Sequence, residues 1–156
     1  MYELCLRPVV VEDADEFHAA HANLVATDRF ALGLSYDPSE PFAAFVDRHR
    51  QFARGLELPD GIVPATFLVA IAQGNIVGRV SIRHELNDFL AAEGGHIGYG
   101  VLHDYRRRGY ATEILRQSVI IARSHGVANA LLVCDDDNVG SATVIECCGG
   151  QLVDRS

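Results

Sequence analysis

The feature that most constrains this chain is a run of three arginines and a glycine that joins an apolar stretch to a helical pattern. The apolar residues 97–102 predict a buried strand. After Gly109, apolar residues recur at helical spacing and predict a helix; they are Ala111, Ile114, Leu115, Val119 and Ala122. The fold must therefore hold Arg106, Arg107 and Arg108 between the end of a strand and the beginning of a helix.

A connection of this kind is suited to holding an anion. The first amides of a helix have no partners within the helix, and the positive end of the helix dipole lies there. Gly109 has no Cβ, so a ligand can approach the backbone closely, and arginines bind phosphate with forked donors. A triple arginine alone is usually a solvated basic turn, but the glycine and the strand-to-helix order favour function. We therefore interpret residues 106–112, the cradle, as a diphosphate site.

The cradle also resembles a known signature. Arg106, Gly109 and Ala111 match the acyl-CoA signature (Gln or Arg)-x-x-Gly-x-(Gly or Ala) of the GNAT family of N-acetyltransferases. The chain is further similar to a bacterial branch of acetyltransferases at Leu6-Arg7-Pro8, Arg83-His84-Glu85-Leu86-Asn87, Gly94-Gly95-His96-Ile97-Gly98-Tyr99, Asp137-Asn138 and Gly149-Gly150. This resemblance covers nearly the whole chain.

The resemblance implies an α/β (α+β) fold, in which a mixed, mainly antiparallel sheet is flanked by helices, as in the acyl-CoA N-acyltransferase fold. Strands at residues 95–102 and 130–134 would run parallel and splay apart to admit the pantetheine arm of the co-substrate. Gly98 and Gly100 indicate a bulge or a close backbone approach in the first of these strands, and the family has a bulge here.

We expect residues 1–156 to form a single N-acetyltransferase domain. Members of the family normally continue with two more strands, one of which pairs beside the strand at residues 130–134. Without them that strand would present an apolar edge. Truncation of the sequence is the favoured interpretation, and coverage of the edge by a partner is the alternative.

The other patterns predict two helices and three further strands. A first strand at residues 2–6 precedes a helix whose acidic start suits the helix dipole and whose buried face would be Phe17, Ala20, Leu24 and Val25. A turn at residues 37–41 precedes a second helix with Phe42, Phe45, Val46, His49 and Phe52 on one face. Residues 65–72 and 76–83 predict a hairpin around Gln73-Gly74-Asn75.

The resemblance implies acetyl-CoA as co-substrate and a primary amine of a small molecule or peptide as acceptor. The cradle would hold the diphosphate, a backbone amide near Val101 would polarise the thioester carbonyl, and Asn138 would contact the pantetheine arm. A helix cap is the alternative role for Asn138. The implied cofactor-binding residues are Val101, Leu102, Arg106, Arg107, Arg108, Gly109, Tyr110, Ala111, Thr112 and Asn138.

The catalytic residues are less strongly indicated. His96 occupies the position where the family often has a glutamate base, and an imidazole that titrates near neutrality could take the amine's proton. The alternative is a packed strand histidine, with Glu85 and Glu93 as other candidate bases. Ile145 stands where the family often has a tyrosine acid, so another tyrosine, Tyr99 or Tyr110, would protonate the leaving thiolate, or no acid would.

The missing tyrosine also allows reduced activity, which leaves two hypotheses from different classes. The leading one is an N-acetyltransferase that works by direct attack of the amine on the thioester. The second is a non-catalytic acyl-CoA-binding or sensor module of the same fold, which would keep the cradle and lack the chemistry.

Composition limits the partners. Thirteen Lys and Arg against 21 Asp and Glu give a net charge of −8, which argues against nucleic acid or an anionic membrane as partner. No membrane-spanning run or signal-peptide pattern is found, and four cysteines without Cys-x-x-Cys spacing suit the cytoplasm. His18 and His21 lack a third ligand and residues 135–138 lack a calcium-loop pattern, so no metal is expected. A homodimer is compatible with the sequence, which leaves the oligomeric state open.

Overall fold

The computed structural model describes residues 3–28, 32–33, 36–132, 145–146 and 149–150. Within them the elements, in chain order, are β1 (Leu4–Pro8), α1 (Ala14–Asp28), α2 (Phe42–Ala53), β2 (Ala65–Ala72), β3 (Asn75–Arg83), β4 (Ile97–Val101) and α3 (Tyr110–Ser124). Short 3-10 turns lie at Val11–Asp13 and His103–Tyr105, and a π-helical turn lies at Leu90–Gly94.

The described sheet has the strand order β1-β2-β3-β4, and each strand is antiparallel to its neighbour. The predicted α/β fold with a mainly antiparallel sheet and flanking helices is therefore confirmed. The β2–β3 connection is the expected hairpin. Gln73 and Gly74 adopt φ values of 53° and 77°, the left-handed pair that matches a two-residue turn to the twist of the strands.

The predicted bulge in β4 is not found on its β3 side. Pairing runs without a shift from Gly78 opposite Val101 to Ile82 opposite Ile97, and the register shift lies instead between β2 and β3 at Ala70. The other alternative, a close backbone approach, describes this strand pair. A Cβ on Gly78 would lie 2.4 Å from the carbonyl oxygen of Gly100, so only a glycine fits there.

Helices cover both faces of the sheet. On one face, which we call the α3 face, α3 buries Ile114, Leu115 and Ala122 against the four strands. On the other, the α1–α2 face, aromatic side chains form the core, with Phe17 at 0% exposure and its ring centroid 5.1–6.3 Å from four others. Those four rings belong to Tyr36, Phe42, Phe45 and Phe67.

The predicted buried faces of α1 and α2 are confirmed except at His49, which is half-buried, and at Val25. Phe17, Ala20 and Leu24 are buried as predicted, and so are Phe42, Phe45, Val46 and Phe52 of α2. Val25 was expected in the core, but it is 44% exposed. Val25 lies about 100° from Leu24 around the helix axis. This rotation takes its side chain off the face of α1 that contacts the sheet.

The predicted strand at residues 130–134 is only partly described. Leu131 and Leu132 lie next to the beginning of β4, and the amide of His96 donates to the carbonyl of Leu131 at 2.7 Å. Residues 133 and 134 lie outside the described residues, so the parallel direction and the splaying of this strand stay predictions. None of the helices within the described part has the length and apolar character needed to span a membrane.

A pair of stacked histidines makes the stability of this fold depend on pH. The rings of His84 and His125 lie 3.9 Å apart at an angle of 11°, and the His84 Nε2 is 2.8 Å from the Thr66 hydroxyl oxygen. Burial first, and then the charge of His125, lower the pKa of His84. As the pH drops, His84 of the unfolded chain therefore takes up a proton before His84 of the folded chain does. The free energy of unfolding falls as the pH drops through about 6.5, the ordinary pKa of histidine.

We predict that the free energy of unfolding, measured with urea, decreases from about pH 8 to about pH 5. His125→Gln should make the decrease smaller, because it removes the cation that repels a charged His84. His103→Gln, an exposed histidine outside the stack, is the control and should behave as the wild type. A His125→Gln protein whose stability falls as steeply as that of the wild type would contradict this role of the stack.

Candidate active site

The cradle follows β4 after one 3-10 turn and includes the beginning of α3. The 3-10 turn at His103–Tyr105 leads into the three arginines, which are all exposed. Gly109 precedes the helix, and the first hydrogen bond of α3 runs from the amide of Glu113 to the Gly109 carbonyl at 3.2 Å. Because a helix directs its amides toward its N-terminus, the first turn of α3 presents them to the space in front of Gly109.

The space beside Gly109 is open, as a close ligand approach requires. A Cβ built there would have no described heavy atom within 4 Å, and its φ of 82° is in the left-handed region that disfavours a side chain. Gly126 combines a similar φ of 89° with open space, but it follows the C-terminal end of α3. Only Gly109 of these two lies before the positive end of the helix dipole, so the residues present fit a diphosphate.

The cradle arginines differ in what they contact. Arg106 donates from Nε to the carbonyl of Val101 at 3.0 Å, which ties the cradle to the end of β4. The guanidinium carbon of Arg108 lies 5.6 Å from the centre of the Tyr105 ring, within the range of a cation–π contact. Arg107 has a φ of 61°, a conformation that costs a non-glycine residue of order 1 kcal/mol or more. The left-handed conformation of Arg107 turns the backbone toward the beginning of α3.

The second edge of β4, away from β3, carries the amide of Val101. The amide of Leu102 donates to the carbonyl of Val77 on β3 at 2.8 Å. Successive residues of a strand direct their polar groups to opposite edges, so the amide and carbonyl of Val101 point away from β3. The contact from Arg106 to that carbonyl agrees with this direction. An oxyanion donor was expected near Val101, and its amide lies on this edge beside the cradle.

His96 lies at the other end of the same edge. Its ring Nδ1 accepts a hydrogen bond from the backbone amide of Leu131 at 2.9 Å. Its backbone amide donates to the carbonyl of the same leucine. A nitrogen that accepts an N–H bears no proton, so the neutral ring carries its proton on Nε2. Burial lowers the pKa of His96. To take up a second proton, Nδ1 would have to release the Leu131 amide.

The other predicted catalytic positions are not gathered at this edge. Glu85 is exposed beyond the end of β3. Ile145 packs against the core of the α3 face, and its carbonyl accepts the amide of Gly150 at 2.9 Å. Tyr99 and Tyr110 also belong to the α3-face core. Asn138 and the side chain of Glu93 lie outside what is described.

Sequence reasoning missed two arginines on the α1–α2 face of β3. Arg79 is 4% exposed, and burial first, then the charge of Arg83, lower its pKa to about 10. Burial also lowers the pKa of Arg83. The available signal was their spacing: two arginines four residues apart within an apolar strand occupy the same face. Among the described side chains, no group of three His, Cys, Asp or Glu is placed to hold a metal ion.

The first turn of α3 directs its amides to the open space at Gly109, beside three exposed arginines, an arrangement that is suited to a phosphate-bearing ligand. A family model described as an acetyltransferase (GNAT) domain matches residues 3–151. The chain belongs to the GNAT family of acetyltransferases, which are acetyl-CoA-dependent enzymes. No curated protein matches the chain.

Solved structures with the same fold include three acetyltransferases. RimJ of Mycobacterium smegmatis, in complex with CoA-disulfide, has a TM-score of 0.67 at 18% identity, over 92% of this chain and 68% of that one. A GNAT-family acetyltransferase of Streptococcus pneumoniae has a TM-score of 0.61 at 19% identity, over 94% and 84%. The microcin C7 self-immunity acetyltransferase MccE, with acetyl-CoA and AMP, has a TM-score of 0.63 at 16% identity, over 94% and 78%. At these identities the likeness shows the fold.

We predict that Gly109→Trp weakens acetyl-CoA binding at least about 100-fold, a loss of roughly 2.7 kcal/mol, because the indole would occupy the space of the diphosphate. Calorimetric titration with acetyl-CoA measures this loss. Gly126→Trp is the matched control, since it imposes the same side chain on a similar φ at the opposite end of α3. Equal affinities of the two variants would contradict the cradle.

Proposed function

We propose that residues 1–156 form one N-acetyltransferase domain that acts in the cytoplasm and transfers the acetyl group of acetyl-CoA to a primary amine. The amine belongs to a small molecule or a peptide, and it attacks the thioester directly. The observation that carries the proposal is the cradle: an open glycine in the left-handed region, at the N-terminus of α3, which the chain reaches from Val101 through one 3-10 turn and the three arginines.

The cradle residues divide the binding of acetyl-CoA between backbone and side chains. The first-turn amides of α3 and the positive end of its dipole would hold the diphosphate, with Arg107 and Arg108 adding charge from the exposed side. Arg106 holds the turn to β4 through the Val101 carbonyl. Acetyl-CoA supplies an acetyl group activated as a thioester. The structures of RimJ with CoA-disulfide and MccE with acetyl-CoA support this co-substrate.

The Val101 amide is the proposed donor to the thioester oxygen. Negative charge develops on that oxygen as the amine adds to the carbonyl, and a donor fixed in advance stabilises it without reorganisation. The side chain of Val101 is buried, with 7% exposure of the residue, and the next residue, Leu102, is hydrogen-bonded to β3. The position of the Val101 amide is therefore fixed. One such donor typically contributes about 10²–10³-fold in kcat.

The hydrogen bond to Leu131 favours the structural alternative for His96. An Nδ1 that accepts the Leu131 amide holds the beginning of β4 against residues 131–132, and its lowered pKa keeps the ring neutral at physiological pH. We propose that His96 positions this edge. The acceptor then loses its proton to water, to Glu85 or by its own ionisation before attack.

We predict that His96→Gln lowers kcat/KM for an amine by less than about 10-fold, compared with the 10²–10⁴-fold that a general base contributes. The wild-type pH profile should follow the ionisation of the amine, and Glu85→Gln should be measured beside it. Loss of a limb near the pKa of an imidazole, with a drop above about 100-fold in His96→Gln, would instead make His96 the base. Unchanged acetyl-CoA affinity is the control for folding.

The non-catalytic acyl-CoA module is the second candidate, and Ile145 favours it. The side chain at the position where the family often has a tyrosine acid is an isoleucine, which packs against the core and cannot donate a proton. Transfer without an acid requires the thiolate to leave unprotonated, which a thiol pKa well below that of an alcohol permits. The two candidates predict the same affinity for acetyl-CoA and differ in turnover.

We predict that amines accelerate the release of free CoA from acetyl-CoA above the hydrolysis blank, and that Gly109→Trp abolishes the acceleration while Gly126→Trp retains it. A thiol-reactive dye measures the release over a panel of primary amines. A wild-type protein that binds acetyl-CoA in calorimetry, and that no amine in the panel accelerates, would identify the non-catalytic module.

A further inference from the structure

Two arginines of β3 lie on the α1–α2 face and have no part in the function described so far. Arg79 is buried and donates from Nη1 to the carbonyl of Gly98 at 3.1 Å. Arg83 is half-buried and donates from Nη1 to the carbonyls of Gly94 and Gly95 at 3.0 and 3.3 Å. Alternate residues of a strand share a face, so both guanidinium groups lie on the same side of the sheet.

The Arg83 guanidinium occupies the space that the missing side chain of Gly98 leaves on the neighbouring strand. Gly98 and Gly100 of β4 pair with Ser81 and Arg79 of β3. A Cβ at Gly98 would lie 3.3 Å from Nη1 and 3.6 Å from Nη2 of Arg83, so the Arg83 guanidinium lies over a strip of bare backbone. No side chain of β4 stands between this guanidinium and Gly98.

The charge at this position favours an anion. The pKa of Arg79, lowered to about 10, still leaves it charged at neutral pH, so two like charges, one buried and one half-buried, lie on the same face of β3. The described acceptors of Arg83 are neutral carbonyls, and an ionised acceptor makes hydrogen bonds roughly twice as strong. A carboxylate beside Arg83 would therefore offset the repulsion between the two arginines and gain a forked partner.

Arg83, the last residue of β3, lies beside the beginning of β4 and is too far from the cradle to contact the diphosphate. Gly98, which lies beneath it, precedes Leu102 by four residues, roughly 13 Å of extended strand. The same strand brings Gly98 within three residues, roughly 10 Å, of the Val101 amide. A group attached to the acceptor can span this distance when its amine lies at the thioester.

We propose that Arg83, supported by Arg79, binds a carboxylate of the acceptor several bonds away from the reacting amine. The substrate class is then short peptides with a free C-terminus or ω-amino acids, in preference to neutral amines. This inference rests on the proposed function and names its substrate class. It assigns to Arg83 a specificity role distinct from acetyl-CoA binding.

The test compares acceptors that differ only in the carboxylate. Di- and tripeptides are assayed by CoA release beside the same peptides with a C-terminal amide. The wild type should prefer the free acids by about 10- to 100-fold in kcat/KM, mainly through KM, as expected for a hydrogen bond to a charged group. Equal rates for acids and amides overturn the proposal and leave the proposed function intact.

Variants separate the guanidinium from the rest of the face. Arg83→Gln should abolish the preference for free acids, and Arg83→Lys should retain part of it. Gly98→Ala displaces the guanidinium from the opposite strand without removing its charge, so it should also raise KM for the free acids. Arg123→Gln changes an exposed arginine in the last turn of α3 and is the matched control. Unchanged acetyl-CoA affinity in calorimetry shows that a variant is folded.

A binding measurement without turnover makes the result independent of activity. Glutarate, with glutaramide as its uncharged control, is titrated into the CoA-bound protein and the Tm is recorded. Glutarate should stabilise the wild type and Arg123→Gln and leave Arg83→Gln unchanged. If no amine is acetylated but this pattern holds, the proposed function fails and the anion site stands. Equal shifts in all three proteins, or none in the wild type, overturn the site. If Arg83→Gln does not fold, Gly98→Ala replaces it in this comparison and should show a reduced shift.

Discussion

Every part of the candidate site depends on the antiparallel pairing of β4 with β3 along one edge. The continuous register from Gly78 to Ile82 fixes which residues of β4 direct their amides to β3. The amide of Val101 is thereby directed to the second edge, where Arg106 also reaches the carbonyl and where Leu131 contacts His96. A slip of one residue would exchange the two edges. The glycine pair Gly78 and Gly100 resists such a slip, because their backbones approach too closely for a side chain.

Packing of α3 then places the cradle relative to that edge. Ile114 and Leu115 are 0% and 1% exposed, and burying each side chain stabilises the fold by about 1.5–3 kcal/mol. At the other end, the amides of Gly126 and Val127 return to the carbonyls of Arg123 and Ala122 at 3.0 Å each, the bonds of a Schellman cap. The helix is thus anchored in its middle and at its C-terminus, so its N-terminal amides are held in position before a ligand arrives.

Local sequence patterns predict the helices and the hairpin. They do not predict contacts between residues that are far apart in the sequence. The spacing of Ile114 and Leu115 predicts a buried helix face, and the Gly74-Asn75 connection predicts the hairpin, because each signal lies within a few residues. His96 and Leu131 are 35 residues apart, and nothing in the sequence around either one indicates the hydrogen bond that weighs against a base. Gly98 and Gly100 indicate either a bulge or a close backbone approach. Only the register between β3 and β4 distinguishes these two alternatives. The role of Arg83 is visible only once Gly98 is known to lie beneath it.

The cationic side chains of the candidate site lie beside the two ends of β4, with the cradle after its end and Arg83 of β3 beside its beginning. The chain carries a net charge of −8, which repels a diphosphate and a carboxylate alike at long range. Salt screens that repulsion beyond about 8 Å under physiological conditions, so capture depends on cations within contact distance. The cradle supplies such cations after the end of β4, and Arg83 supplies another near the beginning of β4. In the proposed arrangement the two anionic groups are held roughly 13 Å apart along β4, and the amine and the thioester meet between them, at the amide of Val101.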